Sequence, residues 1–137
     1  MQVDKCIFFH IAKVNQTAQR FWGNMIAPFS VTPVQGMILN FLYEEDKVSS
    51  RRLGDRIQLD SATLTGILDR LEGMEFINRL SNPDDRRAIL VCLTEKGREL
   101  GLKLHRNMED ANRDFLKSLS EEEETILRNL LVKIREQ

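Results

Sequence analysis

The run from Asp60 to Glu72, Asp-Ser-Ala-Thr-Leu-Thr-Gly-Ile-Leu-Asp-Arg-Leu-Glu, constrains this chain more than any other stretch. Leu64, Ile67, Leu68 and Leu71 recur at i, i+3, i+4 and i+7, the single apolar stripe of a helix that buries one face. At its start the opposite face is small and hydroxylated: Ser61, Ala62, Thr63 and Thr65. A shorter helix over Ser50–Arg56 precedes it, with only Ile57, Gln58 and Leu59 between them. Downstream, two β-like runs, Phe76–Leu80 and Ala88–Leu93, flank an Asn-Pro-Asp-Asp-Arg-Arg turn. Helix, tight turn, helix, then a hairpin with a cationic tip is the pattern of a winged helix-turn-helix, an arrangement that sets a helix into a DNA groove.

Capping signals mark the remaining elements. Ser49 is placed to cap the shorter helix, with Val48 packing on Leu53 as a hydrophobic staple; Leu59, Asp60 and Leu64 repeat the device one helix later. Thr32, Pro33 and Gln35 open a helix that Met37, Ile38, Phe41 and Leu42 carry to about Glu44. Residues 4–27 read as one amphipathic helix along Ile7, Ile11, Val14, Ala18, Phe21, Trp22 and Met25, ended by Pro28. Thr94 caps a long helix striped by Leu100, Leu104, Met108, Ala111 and Phe115. Ser120 with Glu123 opens the last one, which bears Ile126, Leu127, Leu130, Leu131 and Ile134.

The 137 residues form one domain, mostly α with a small β wing. About 30–94 is the winged helix-turn-helix, and about 4–27 and 95–136 are helices with more apolar surface than a small winged unit can cover. That surplus predicts a homodimer, whose two reading helices, about 34 Å apart, meet successive major grooves of a pseudo-palindromic duplex.

Bulk charge does not advertise this role. Lys+Arg number 20 against 21 Asp+Glu, so DNA affinity must come from local placement. The apolar patch Cys6–Phe9 is followed by His10 and Lys13 without a small-residue cleavage site, which argues against a signal peptide or a membrane span. Cys6 and Cys92 stand in no metal-ligand spacing, and unpaired cysteines suit a reducing cytoplasm. Glu121–Glu124 at a helix start need no purpose beyond the helix dipole. Without a nucleophile–base–orienter set, a Gly-rich phosphate loop or paired carboxylates, the chain is not read as an enzyme, and no cofactor or metal is implied.

Leu59–Thr65, followed by Leu71-Glu72, Ile77-Asn78-Arg79, Asn82-Pro83-Asp84-Asp85-Arg86-Arg87 and Leu93-Thr94-Glu95-Lys96-Gly97, resembles the MarR family of bacterial transcriptional regulators, in order and without gaps through the reading region. The resemblance implies a homodimeric regulator, usually a repressor, that leaves DNA when a small molecule or an oxidant acts on it. It places base reading on Ser61, Ala62, Thr63, Gly66 and Arg70. It puts Arg87 at the wing tip, held by an ion pair to Asp85, with Arg86 beside it. One departure stands out: Glu75 occupies the left-handed position after the reading helix where the family has Gly, at a cost of about 1 kcal/mol. Gly73 offers an earlier end.

The side-chain chemistry agrees. Hydroxyls such as Thr65 and the Arg70 guanidinium can hydrogen-bond base edges, and Asp69 could accept from cytosine. Arg86 and Arg87 suit a narrow, negative minor groove, while Ser49, Arg51 and Arg52 suit phosphates. Each has the competing reading of an ordinary solvated charge. The resemblance also implies an effector pocket between the dimer helices and the winged unit, where His10, Arg20, Trp22, Met25, Met37 and Asn40 would receive a small aromatic or phenolic ligand; dimer packing is the alternative for each. Cys6, four residues before His10, has two readings: a thiol redox sensor activated by the imidazole, or an inert buried thiol. Cys92, in an apolar strand, reads as core filling. The balanced charge also leaves open a winged-helix protein-contact module that binds no DNA.

Overall fold

The computed structural model describes residues 1–137. Six helices and three short strands follow in order: α1 (Ile7–Ile26), α2 (Pro33–Glu44), β1 (Val48–Ser49), α3 (Ser50–Ile57), α4 (Ser61–Gly73), β2 (Ile77–Ser81), β3 (Ile89–Leu93), α5 (Glu95–Leu116) and α6 (Glu121–Arg135). One-turn 3-10 segments, Val3–Lys5 and Ala27–Phe29, flank α1. No single helix is long and apolar enough to cross a membrane.

Five helix starts carry the caps that their sequences predict. The side chains of Thr32, Ser49, Asp60, Thr94 and Ser120 each accept the backbone N–H three residues on, and Gln35 and Glu123 complete reciprocal capping boxes. The first helix differs from expectation. It begins at Ile7, because Cys6 is an extended N-cap residue whose side chain makes no capping bond, and the preceding turn is 3-10 rather than α.

The end of α4 combines both sequence alternatives. Its last helical residue is Gly73, and Glu75 takes the left-handed conformation at φ 64°. Glu75 N–H donates to the Glu72 carbonyl (2.9 Å) and Phe76 N–H to the Leu71 carbonyl (3.0 Å), the paired bonds of a Schellman motif, with Leu71 and Phe76 both buried. Lys96 Nζ reaches another carbonyl of this turn, that of Met74, at 2.9 Å.

The sheet contains a strand that periodicity did not reveal. Val48 and Ser49 pair antiparallel with Val91 and Leu90, giving the order β1-β3-β2. The two wing strands pair from Ile77↔Leu93 to Ser81↔Ile89. Asp46, just before β1, ties this base together: its Oδ1 accepts the Leu93 N–H (2.9 Å), and Oδ2 pairs with Arg98 of α5 (2.5 Å).

The core lies where α2, α4, α5 and the sheet meet. Leu64, Leu68 and Leu71 of α4 are 3%, 2% and 0% exposed, so the apolar stripe is buried as its spacing requires. Each such leucine stabilises by about 2 kcal/mol. By contrast, α6 buries no residue, and Ile126, Leu130, Leu131 and Ile134 lie open, as do Ile7, Phe8, Ile11 and Val14 at the other end of the chain.

Candidate nucleic-acid interface

Burying the leucine stripe turns Ser61, Ala62, Thr63, Thr65, Gly66, Asp69 and Arg70 outward together, all exposed along one side of α4. Asp60 organises the start of that side. Its Oδ1 accepts the Thr63 N–H and its Oδ2 the Thr63 hydroxyl, each at 2.8 Å. The backbone bond, with the hydroxyl bond second, holds the Asp60 carboxyl below its ordinary range. Thr65 donates its hydroxyl to the Ser61 carbonyl at 2.8 Å. Both threonine protons are therefore used within the helix, and these hydroxyls meet a partner as acceptors. A β-carbon at Gly66 would touch nothing within 4 Å, so packing does not demand glycine there; its effect is to flatten the outer face.

The charges sort into neutralised and free sets. Arg52 pairs with Glu45 (2.9 Å), and Arg56 with Glu44 (3.0 Å) and Glu45 (3.4 Å) while lying over the Phe41 ring. Arg79, on β2, pairs with Asp69 (2.5 Å) and Glu72 (3.2 Å). Arg51, Arg70, Arg86 and Arg87 belong to none of these ion pairs, and all four are exposed. These four unpaired guanidiniums are the local placement that bulk charge conceals.

Three sequence expectations need revision. Asp69 is not free to accept from a base, because Arg79 holds it. Arg52 is held by Glu45, and Ser49 spends its hydroxyl oxygen on the Arg52 N–H (3.1 Å), so in this trio of phosphate candidates Arg51 alone has a free charged side chain. Asp85 forms no ion pair with Arg87; its Oδ1 accepts the Arg87 backbone N–H at 3.0 Å instead. With Asn82 accepting from the Asp84 N–H (3.0 Å), this shapes the wing tip by side-chain-to-backbone bonds and leaves the Arg86 and Arg87 guanidiniums unengaged.

The effector candidates are dispersed. Trp22 lines a cleft of about 120 Å³ with Phe21 and Phe115, its indole N–H already donated to the Pro33 carbonyl at 3.1 Å. Met25 lines a different cleft with Asn107 and Asp110. His10 and Arg20 are exposed on α1, and Met37 is half-buried on α2. Asn40, 2% exposed, is committed to a network that composition does not show: its Nδ2 donates to Met108 Sδ and its Oδ1 meets His105 Nδ1, each at 2.9 Å. His105 rests on Tyr43 in turn. Cys6 is half-buried, and the nearby imidazole of His10 meets the Phe9 ring edge-on at 5.8 Å. Cys92 is buried in β3, where burial, with the Asp46 carboxylate second, pushes its thiol up, as fits core filling.

Known proteins resemble this chain in sequence and fold. The family model for the MarR family matches residues 31–89. The multiple antibiotic resistance protein MarR of Salmonella typhimurium is 33% identical over 125 residues, 90% of this chain and 87% of that protein. Among solved structures, a probable transcriptional regulator from Pseudomonas aeruginosa aligns at TM-score 0.87 with 32% identity, covering 97% of this chain and 99% of the other. A mutant MarR from E. coli complexed with operator DNA aligns at 0.82 with 30% identity, covering 90% and 89%. The chain belongs to the MarR family of winged helix-turn-helix transcriptional regulators.

Proposed function

We propose that this regulator works as a homodimeric repressor that reads a pseudo-palindromic duplex and is released by a small-molecule effector. One observation carries the DNA half of this reading: the exposed side of α4 offers Arg70 and a row of small and hydroxyl side chains, with unpaired Arg86 and Arg87 on the adjoining hairpin, while Arg52, Arg56 and Arg79 are neutralised. Ser61, Ala62, Thr63, Thr65, Gly66 and Arg70 would meet base edges in the major groove, Arg86 and Arg87 the minor groove, and Arg51 a phosphate. The likeness to an E. coli MarR seen with operator DNA supports it.

The open apolar side chains on α1 and α6 support a second copy as their cover, because exposed leucines and isoleucines in helical rows are costly on a monomer. A dimer spanning two major grooves would block a promoter by occupancy, which is the basis for repression. The Trp22 and Met25 clefts between α1 and α5 favour a small aromatic ligand over a thiol switch, since the His10 ring rests on Phe9 beside a half-buried Cys6. The protein would act in the cytoplasm, where the duplex is.

The test is selection of duplexes from a random-sequence pool, followed by fluorescence anisotropy. The wild type should enrich a two-fold symmetric site and sediment as a dimer. Arg87→Ala should weaken binding about tenfold without changing the dimer, with a shallower salt dependence. Failure to enrich any duplex would return the chain to the protein-contact reading.

A further inference from the structure

Arg79 is the one cation of the reading head that faces inward onto the reading helix. It shares a sheet face with buried Ile77, two residues before it, so its guanidinium points at the last turns of α4. Asp69 and Glu72, three residues apart on α4, receive it there. Arg79 Nη2 lies 2.5 Å from Asp69 Oδ1 and 3.2 Å from Glu72 Oε1. Glu72 Oε2 also accepts the Arg79 backbone N–H at 3.0 Å, so the contact fixes main chain as well as side chain. Asp69 is 58% exposed and stands next to Arg70, on the side proposed to face DNA.

From this geometry we infer that Arg79 is a positioning residue for DNA reading: it neutralises Asp69 and Glu72 and draws them toward β2, so that Arg70 meets the duplex without a free carboxylate beside it. The inference rests on the DNA-binding reading. It assigns Arg79 no contact with DNA. Removing the guanidinium would leave two uncompensated carboxylates against a polyanion and free Asp69 to turn outward.

The experiment is anisotropy on the duplex enriched by the wild type, for Arg79→Gln, Asp69→Asn and the double variant, over a series of salt concentrations. Arg79→Gln should bind about fivefold to tenfold more weakly at low salt. That deficit should shrink as salt rises, because the carboxylate repulsion behind it is screened. The double variant should recover most of the affinity, which a purely structural role for Arg79 would not allow. Asp69→Asn alone should bind at least as tightly as the wild type, and this arm stands even if Arg79→Gln folds poorly. The inference is overturned by a double variant as weak as Arg79→Gln, which would make Arg79 a DNA contact in its own right, or by a loss of affinity in Asp69→Asn. A wild type that enriches no duplex defeats the DNA reading itself, and is recognised before any variant is compared.

Discussion

Gly97 of α5 lies so close to Phe76 that a β-carbon on it would sit 1.9 Å from the Phe76 carbonyl oxygen. That oxygen already accepts the Thr94 N–H at 3.0 Å, and the Gly97 N–H donates to Thr94 Oγ1 at the same distance. The start of α5 is thus seated directly on the backbone that enters the wing. Gly97→Ala must push the helix away from a carbonyl that cannot yield, and should destabilise by about 3 kcal/mol. Chemical denaturation would show a lower midpoint. A variant as stable as the wild type would mean that α5 and the wing are not held in this register.

Glu75 offers the opposite change. Its φ of 64° strains a residue with a β-carbon, and the two backbone bonds of the motif require only the conformation. Glu75→Gly should therefore stabilise by about 1 kcal/mol, raising the melting temperature by a few degrees with no effect on duplex affinity. A melting temperature that falls would show that the Glu75 side chain contributes more than its backbone strain removes.

What could be read in the sequence was what is decided within a few residues. Thr32, Ser49, Asp60, Thr94 and Ser120 were legible as caps because each bond spans three residues, and the leucine stripe of α4 because burial follows helical spacing. Strand β1 was not, since two residues have no periodicity and their partners, Leu90 and Val91, lie far along the chain. Packing between elements hid the ion pairs too. Arg52 with Glu45 is set by how α3 packs at the end of α2, and Arg79 with Asp69 by how β2 packs on α4, so single residues such as Asp69 and Arg52 looked free until the fold supplied partners. The start of α1 was misplaced for a local reason: nothing in the Cys6 side chain marks the point where a 3-10 turn gives way to the helix.

At the wing, the Asp85 contact separates two accounts of one residue. If its carboxylate served to hold the Arg87 guanidinium, any neutral replacement would loosen it. Because Oδ1 instead accepts the Arg87 N–H at 3.0 Å, Asp85→Asn keeps the acceptor and removes a negative charge from a hairpin tip near phosphate. Asp85→Asn should bind duplex as tightly as the wild type or more so, whereas Asp85→Ala should bind several-fold more weakly. Equal losses in both variants would restore the ion-pair account.

The reading helix should also carry an acid-sensitive contribution to stability, and its sign is set by two carboxylates. Asp60 is held below its ordinary value of 3.8 chiefly by the Thr63 backbone N–H, and Glu72 below 4.5 chiefly by hydrogen bonding from the Arg79 side chain. A group whose folded value is depressed stabilises fully above its unfolded value, and that contribution is lost as pH falls through the folded value. Above about pH 5 the wild type should therefore melt higher than Glu72→Gln or Asp60→Ala by a constant margin. Below pH 4.5 the margin should shrink for Glu72→Gln until variant and parent converge, and below 3.8 the margin over Asp60→Ala should shrink toward the one that Asp60→Asn keeps. Asp60→Asn should lie between wild type and alanine at neutral pH, since an amide oxygen can still accept the Thr63 N–H but offers no second oxygen to the Thr63 hydroxyl. Thermal melts of the four proteins from pH 7 down to about 3 make the comparison. A margin that stays constant across that range would mean that neither carboxylate's charge supports the helix that carries the reading face.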